Sequence, residues 1–195
     1  MKLIVISVAY ERPIPLRILI DCFIIQTDQR WKLSVIYDGP VPKDVQKVMD
    51  LYAKNDKIVF YRSKERLGNY GHPNRKQVLD RLPGDDDDYV LMTNDDNYYV
   101  PVYIESMLSK CNNGVGIVSC NTVHSHFQYK VHESLLKCGR IDMGAFIVRY
   151  PIAKEVGFNH IDFAADGHYA EECAEACRLN RLQTIHIPKP LFIHN

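Results

Sequence analysis

Short apolar runs, rich in β-branched residues, recur along this chain and alternate with segments whose apolar residues repeat at helical spacing. Residues 3–9, 33–37, 57–61, 89–93, 115–121 and 184–187 read as strands, and 143–148 is strand-like. After a turn marked by Pro13 and Pro15, residues 16–26 read as a helix, as do 43–54, 74–82, 102–111 and 167–179. The acidic stretch 85–88 looks like a solvated loop, and 122–140 has no clear period. The alternation predicts one α/β domain over residues 1–195, a Rossmann-like mixed, mainly parallel sheet flanked by helices.

Ligands of such sheets bind beyond the carboxyl ends of the strands. Polar clusters fall at those ends here. Tyr10-Glu11-Arg12 follows the first strand, Asp38-Gly39 the second, and Asn94-Asp95-Asp96-Asn97 the fourth. Three clusters at three strand ends are expected to converge on one cleft. Adjacent carboxylates repel unless a cation lies near them, and oxygen-only ligands suit Mg²⁺ or Mn²⁺. A turn with Asn and Asp caps would explain the same quartet. Between Arg66 and Arg75, Gly68 and Gly71 allow backbone to approach a ligand closely, and the arginines suit phosphate. A solvated glycine-rich loop is the plainer alternative. Asp166 stands just ahead of a helix pattern, where it serves either as an N-cap or as a general base.

Composition narrows the partners. Lys plus Arg equals Asp plus Glu, at 24 each, so the basic excess of a nucleic-acid binder is missing and none is expected as partner. Six cysteines without a C-x-x-C pair suggest free thiols in a reducing compartment. The first apolar run is too short for a signal peptide. Residues 16–25 are broken by Arg17 and Asp21 and are too few for a membrane span. A cytoplasmic location with no transmembrane segment is therefore expected. His124 and His126 are possible metal ligands, but no third partner is near in sequence. No G-x-G-x-x-G follows the first strand, which argues against a dinucleotide-binding dehydrogenase.

Taken in order, these clusters resemble family 2 glycosyltransferases of the GT-A fold, the nucleotide-diphospho-sugar transferase fold. Val5-Ile6-Ser7-Val8-Ala9-Tyr10-Glu11-Arg12 is similar to the family's opening strand and loop, and Ser34-Val35-Ile36-Tyr37-Asp38-Gly39 to its second strand. Gly71 to Arg75 resembles the loop that reaches the nucleotide. Val90 to Pro101 resembles the strand carrying D-x-D, with Asn94 in place of the first Asp. Ala165-Asp166 falls on the family's Glu-Asp pair, with Ala165 replacing the Glu. The small size also resembles compact viral glycosyltransferase domains that decorate capsid protein, for which the location would be host cytoplasm.

The resemblance implies a metal-dependent transfer of a sugar from a UDP- or GDP-type donor to a hydroxyl of a glycan or glycoprotein, with inversion. It implies donor contacts from Ala9, Tyr10, Glu11, Arg12, Asp38, Gly68, Gly71, Arg75, Asn94 and Asp95. It implies Mn²⁺ or Mg²⁺ at Asp96, Asp95 and His194, and Asp166 as catalytic base. Residues 1–100 would form the nucleotide half and 101–195 the acceptor side. Two alternatives stay open. One is a non-catalytic sugar-nucleotide binder, suggested by Asn94 and Ala165. The other is a sugar nucleotidyltransferase, disfavoured because Ala9 to Pro13 contains no glycine.

Overall fold

The computed structural model describes residues 1–195. Its first half is a parallel unit. β1 (Leu3–Ala9) is followed by α1 (Pro13–Ile24), β2 (Trp31–Tyr37), α2 (Lys43–Tyr52), β3 (Ile58–Arg62), α3 (His72–Arg81) and β4 (Tyr89–Asn94). The strands lie side by side as β3-β2-β1-β4, all parallel. All seven residues of β1 are buried, as expected for a strand covered on both faces. α1 opens with proline, where the missing N–H costs nothing. It then buries Leu16, Leu19, Ile20 and Phe23 at helical spacing, each stabilising by roughly 1.5–3 kcal/mol.

The second half changes strand direction. β5 (Tyr98–Tyr99), α4 (Tyr103–Leu108), β6 (Val115–His124), β7 (Lys130–His132), β8 (Phe146–Arg149), α5 (Tyr150–Val156), α6 (Ala165–Leu179) and β9 (Gln183–His194) follow in order. β8 inserts antiparallel between β4 and β6, β9 runs parallel to β6, and β5 closes the far edge. β7 pairs with the distal part of β6. The sheet is thus mixed, with its parallel core at β1, β2, β3 and β4. No helix is long and apolar enough to cross a membrane.

Three sequence expectations change. The closing strand extends to His194 rather than ending at 187, because Pro188 and Pro190 fall at the irregular stretch opposite Cys120 to Thr122, where a lost ladder bond is tolerated. The acidic stretch is only partly solvated. Asp88 is buried and accepts the Lys2 and Asp85 backbone N–H groups, each at 2.9 Å, and the Lys2 ammonium at 2.5 Å. Within 122–140, β6 continues to His124 and turns back through β7.

Candidate active site

The carboxyl ends of β1, β2 and β4 point to one side, and two cavities open there. The first, about 520 Å³, is lined by Tyr10, Arg12, Asp38, Gly68, Gly71, Asn94 and Asp95 among others. The second, about 330 Å³, is lined by Asp142, Asp166, His124, His194, Phe127 and Phe163 among others. Both share Asn94 and Tyr70. The end of β4 is therefore the partition between the cleft at the β1 and β2 ends and a chamber that holds Asp142 and Asp166.

Backbone chemistry sets the first cavity. Asp38, buried at the end of β2, accepts the N–H of Leu67 (2.8 Å), the N–H of Gly68 (3.0 Å) and the Asn74 amide (2.7 Å). It fixes the glycine loop against the sheet. Gly71 adopts φ 76, and a Cβ there would lie 2.5 Å from Val8 Cγ1, so the approach of this loop to β1 requires glycine. Asn69 and Tyr70 also take left-handed conformations, at φ 48 and 55, at a cost of about 1–3 kcal/mol each. Arg66 stacks over the Tyr10 ring at 3.9 Å.

Beneath the partition lies Arg75. Expected at the phosphates, it is fully buried instead and is spent on the protein. It donates to the Tyr70 carbonyl (2.7 Å), the Thr93 carbonyl (3.3 Å) and Asn94 Oδ1. Burial pulls its pKa down to about 10, while Asp142, Asp166 and Asp95 oppose that shift. Arg75 thus acts by holding Tyr70 and Asn94 in place.

Three carboxyls around it are poised near neutrality. Burial raises Asp95 to about 6, outweighing the nearby Arg12. Burial likewise raises Asp142 to about 6. Asp166 rises to about 6 through burial and then the charge of Asp142. Asp142 accepts the Gly144 N–H (2.9 Å) and faces His194 Nε2 at 3.4 Å. Asp166, in the first turn of α6, accepts only the Gly167 N–H, at 2.8 Å. Its remaining lone pairs are free to meet a substrate in the chamber.

The comparisons with known proteins agree with this geometry. The profile of glycosyl transferase family 2 matches residues 4–155. The chain belongs to that family.

Solved structures similar to this family 2 chain share its fold. TarS residues 1–349 from S. aureus superposes with a TM-score of 0.75 at 13% identity, over 100% of this chain and 60% of that one. The same protein in complex with UDP-GlcNAc gives 0.76 at 15% identity, over 99% and 58%. A mannosyltransferase, PcManGT from Pyrobaculum calidifontis, in complex with GDP-Man and Mn²⁺, gives 0.73 at 14% identity, over 98% and 56%. The family 2 chain thus spans about 60% or less of the length of these proteins. No curated protein matches its sequence at a significant level.

The expected donor residues of this family 2 chain are largely brought together. Tyr10, Arg12, Asp38, Gly68, Gly71, Asn94 and Asp95 line one cavity. Ala9 is buried and does not line the cleft; its carbonyl accepts the Asp38 N–H at 3.0 Å. Glu11 turns outward at φ 55, its N–H donating to the Tyr37 hydroxyl at 3.2 Å. Asp95 and Asp96 converge on one guanidinium, that of Arg12. Two hard carboxylates sharing a single cation fit a divalent ion of the Mg²⁺ or Mn²⁺ type.

His194 joins a different set. Its ring stacks on His124 at 4.0 Å, and His124, Asp142 and His194 bring metal-competent atoms within 4.8 Å of one another. His126, expected to ligate together with His124, is not part of this group, and Asp142 and His194 lie far along the chain, so spacing gave no sign of it. The exposed rim formed by Phe163, Tyr70 and Phe127 also had no signal in the sequence.

Proposed function

We propose that the chain transfers a sugar from a UDP- or GDP-type nucleotide sugar to a hydroxyl of a glycan or glycoprotein, with inversion at the anomeric carbon and a requirement for Mn²⁺ or Mg²⁺. One observation carries this: the cleft and the chamber meet at Asn94, with Asp95 on one side and Asp166 on the other. Similar folds bind UDP-GlcNAc in TarS, and GDP-Man with Mn²⁺ in PcManGT.

Residues 1–100 then serve the donor and 101–195 the acceptor. The Tyr10 face and the Asp38-braced loop receive base and ribose. Asp95 and Asp96 would hold the ion, which when bound supplies Lewis-acid stabilisation to the departing diphosphate. Asp166 takes the proton of the acceptor hydroxyl from the opposite side. It is preferred over Asp142 because Asp142 is engaged by Gly144 and His194. A base held near the working pH suits this role. The exposed rings of Phe163 (77%), Tyr70 (64%) and Phe127 (50%) at the chamber mouth offer faces to an acceptor sugar.

The non-catalytic alternative loses support from position 165. Ala165 is wholly buried in the core, so an acid there would not complete the chamber. The test is a panel of nucleotide sugars with sugar acceptors, scored for nucleotide diphosphate release with Mn²⁺ and with chelator. Metal-dependent, acceptor-stimulated release is expected. Equal release in chelator would overturn the metal requirement, and pyrophosphate formation from a nucleoside triphosphate would favour a nucleotidyltransferase.

A further inference from the structure

The cation that neutralises the carboxylate pair is an arginine from the opening loop. Arg12 Nη1 lies 3.7 Å from Asp95 Oδ1 and is in direct contact with Asp96 Oδ2. The two carboxylate side chains are nearly closed off, at 4% and 17% exposure, whereas Arg12 is half exposed at 49%. Asp95 is fixed from behind by the Tyr10 N–H at 3.0 Å. Arg12 is held only by the two acids. Its backbone lies just before the first turn of α1, after the left-handed Glu11. A side chain tethered at one end and anchored only by charge is able to swing.

A guanidinium and a divalent ion compete for the same oxygens. Both are positive and both need the lone pairs of Asp95 and Asp96, so binding one displaces the other. Once released, Arg12 is still in the donor cavity beside Tyr10, Gly68 and Asn94. Guanidinium pairs well with phosphate oxygens, often through two parallel bonds. We propose that Arg12 is an exchangeable counter-ion that guards the carboxylate pair in the empty enzyme and moves to the donor's diphosphate when the divalent ion enters. Each ligand then removes an obstacle to the other. The metal frees Arg12 for the diphosphate, and the diphosphate frees the carboxylates for the metal. By linkage the two affinities rise by the same factor, typically 5–150-fold. Given the proposed donor and metal site, on which this inference rests, Arg12 makes binding of the ion without nucleotide weak and binding with nucleotide strong.

The experiment is calorimetric titration of the full chain with Mn²⁺, alone and with saturating UDP or GDP, for the wild type, Arg12→Gln, Arg12→Lys and Arg66→Gln. Arg12→Gln is expected to bind Mn²⁺ alone at least tenfold more tightly than wild type, and to show a nucleotide–metal coupling factor at least fivefold smaller. Arg12→Lys keeps the charge and is expected to fall between. Arg66 lines the same cavity but touches neither acid, so Arg66→Gln should leave Mn²⁺ affinity without nucleotide within threefold of wild type. Unchanged Mn²⁺ affinity and coupling in Arg12→Gln would overturn the exchange, as would an equal gain in Arg66→Gln. If no protein binds Mn²⁺ even with nucleotide, the proposed metal site fails first and takes the exchange with it.

Discussion

The backbone N–H of Tyr10 donates to the Asp95 carboxylate at 3.0 Å, tying the loop after β1 to the end of β4. The residue expected to face the nucleotide base and the residue expected beside its phosphates are thus one hydrogen bond apart. The proposed donor contact and the acidic pair are tied together, on neighbouring parallel strands that hold them in register.

Asp166→Asn is expected to lower transfer by about 10²–10⁴ while leaving nucleotide binding within a few fold. Steady-state rates together with calorimetric nucleotide affinity check this. Near-normal turnover would remove Asp166 from the role of base.

The same residue predicts a pH signature. A base raised to about 6 must lose its proton to act, so the rate should fall as pH drops below about 6. The midpoint belongs jointly to Asp166 and Asp142, because the two interact. Stability moves the opposite way. A carboxyl whose folded pKa is raised above its unfolded value favours the protonated fold, so its penalty is complete above pH 6 and vanishes below about 4. Asp166→Asn should therefore stabilise the metal-free protein at pH 7.5, by on the order of 1–3 kcal/mol, and keep only about a third of that gain at pH 4.5. Thermal melts of both proteins at the two pH values test it. Comparing the variant with wild type cancels the half-buried His124 and His194, whose depressed pKa values push the wild-type profile the other way.

Asp96→Ala should abolish the metal-dependent part of nucleotide binding. In thermal-shift assays wild type is expected to gain stability from UDP or GDP with Mn²⁺ in proportion to ligand excess. The variant should show the same small shift with Mn²⁺ as with chelator. A full metal-dependent shift in Asp96→Ala would place the ion elsewhere, with the group of His124, Asp142 and His194 the first site to examine.

Gly71→Ala tests the loop. The added methyl would meet Val8 Cγ1 at 2.5 Å on a backbone with φ 76. A loss of about 1–3 kcal/mol in stability is expected, with weaker nucleotide binding, because the loop must withdraw from β1. Denaturant midpoints and nucleotide titration check both. Gly68 has nothing within 4 Å of an added Cβ, so Gly68→Ala should disturb packing less and pay mainly for its φ of 65.

What could be read from the sequence follows from how each element is stabilised. β1, β2 and β4 are buried along almost their whole length, so each appears as a mainly apolar run. β5 and β7 have two and three residues and exist only because β9 and β6 already stand beside them, so no local pattern marks them. α5 escaped notice because its seven residues, opened by Tyr150-Pro151 and stopped by Gly157, are too few to show a period. The convergence of Tyr10, Arg12, Asp38, Asn94 and Asp95 on one cleft was legible because these residues follow strand ends. Arg75 was placed at the phosphates because arginine beside glycines suggests a ligand contact. Only the three-dimensional packing shows that its partners are Tyr70, Thr93 and Asn94. The chamber was hardest to foresee, since Asp142, His124 and His194 come from distant segments.

The two cavities and the groups beside them set Arg12, Arg66, Arg75 and Arg140 against Asp38, Asp95, Asp96, Asp142 and Asp166, so their charges nearly cancel. Little net field then reaches beyond the pocket, and recognition by charge is confined to direct contact. Capture of a nucleotide diphosphate should therefore change little with ionic strength, because no long-range field is there for salt to screen.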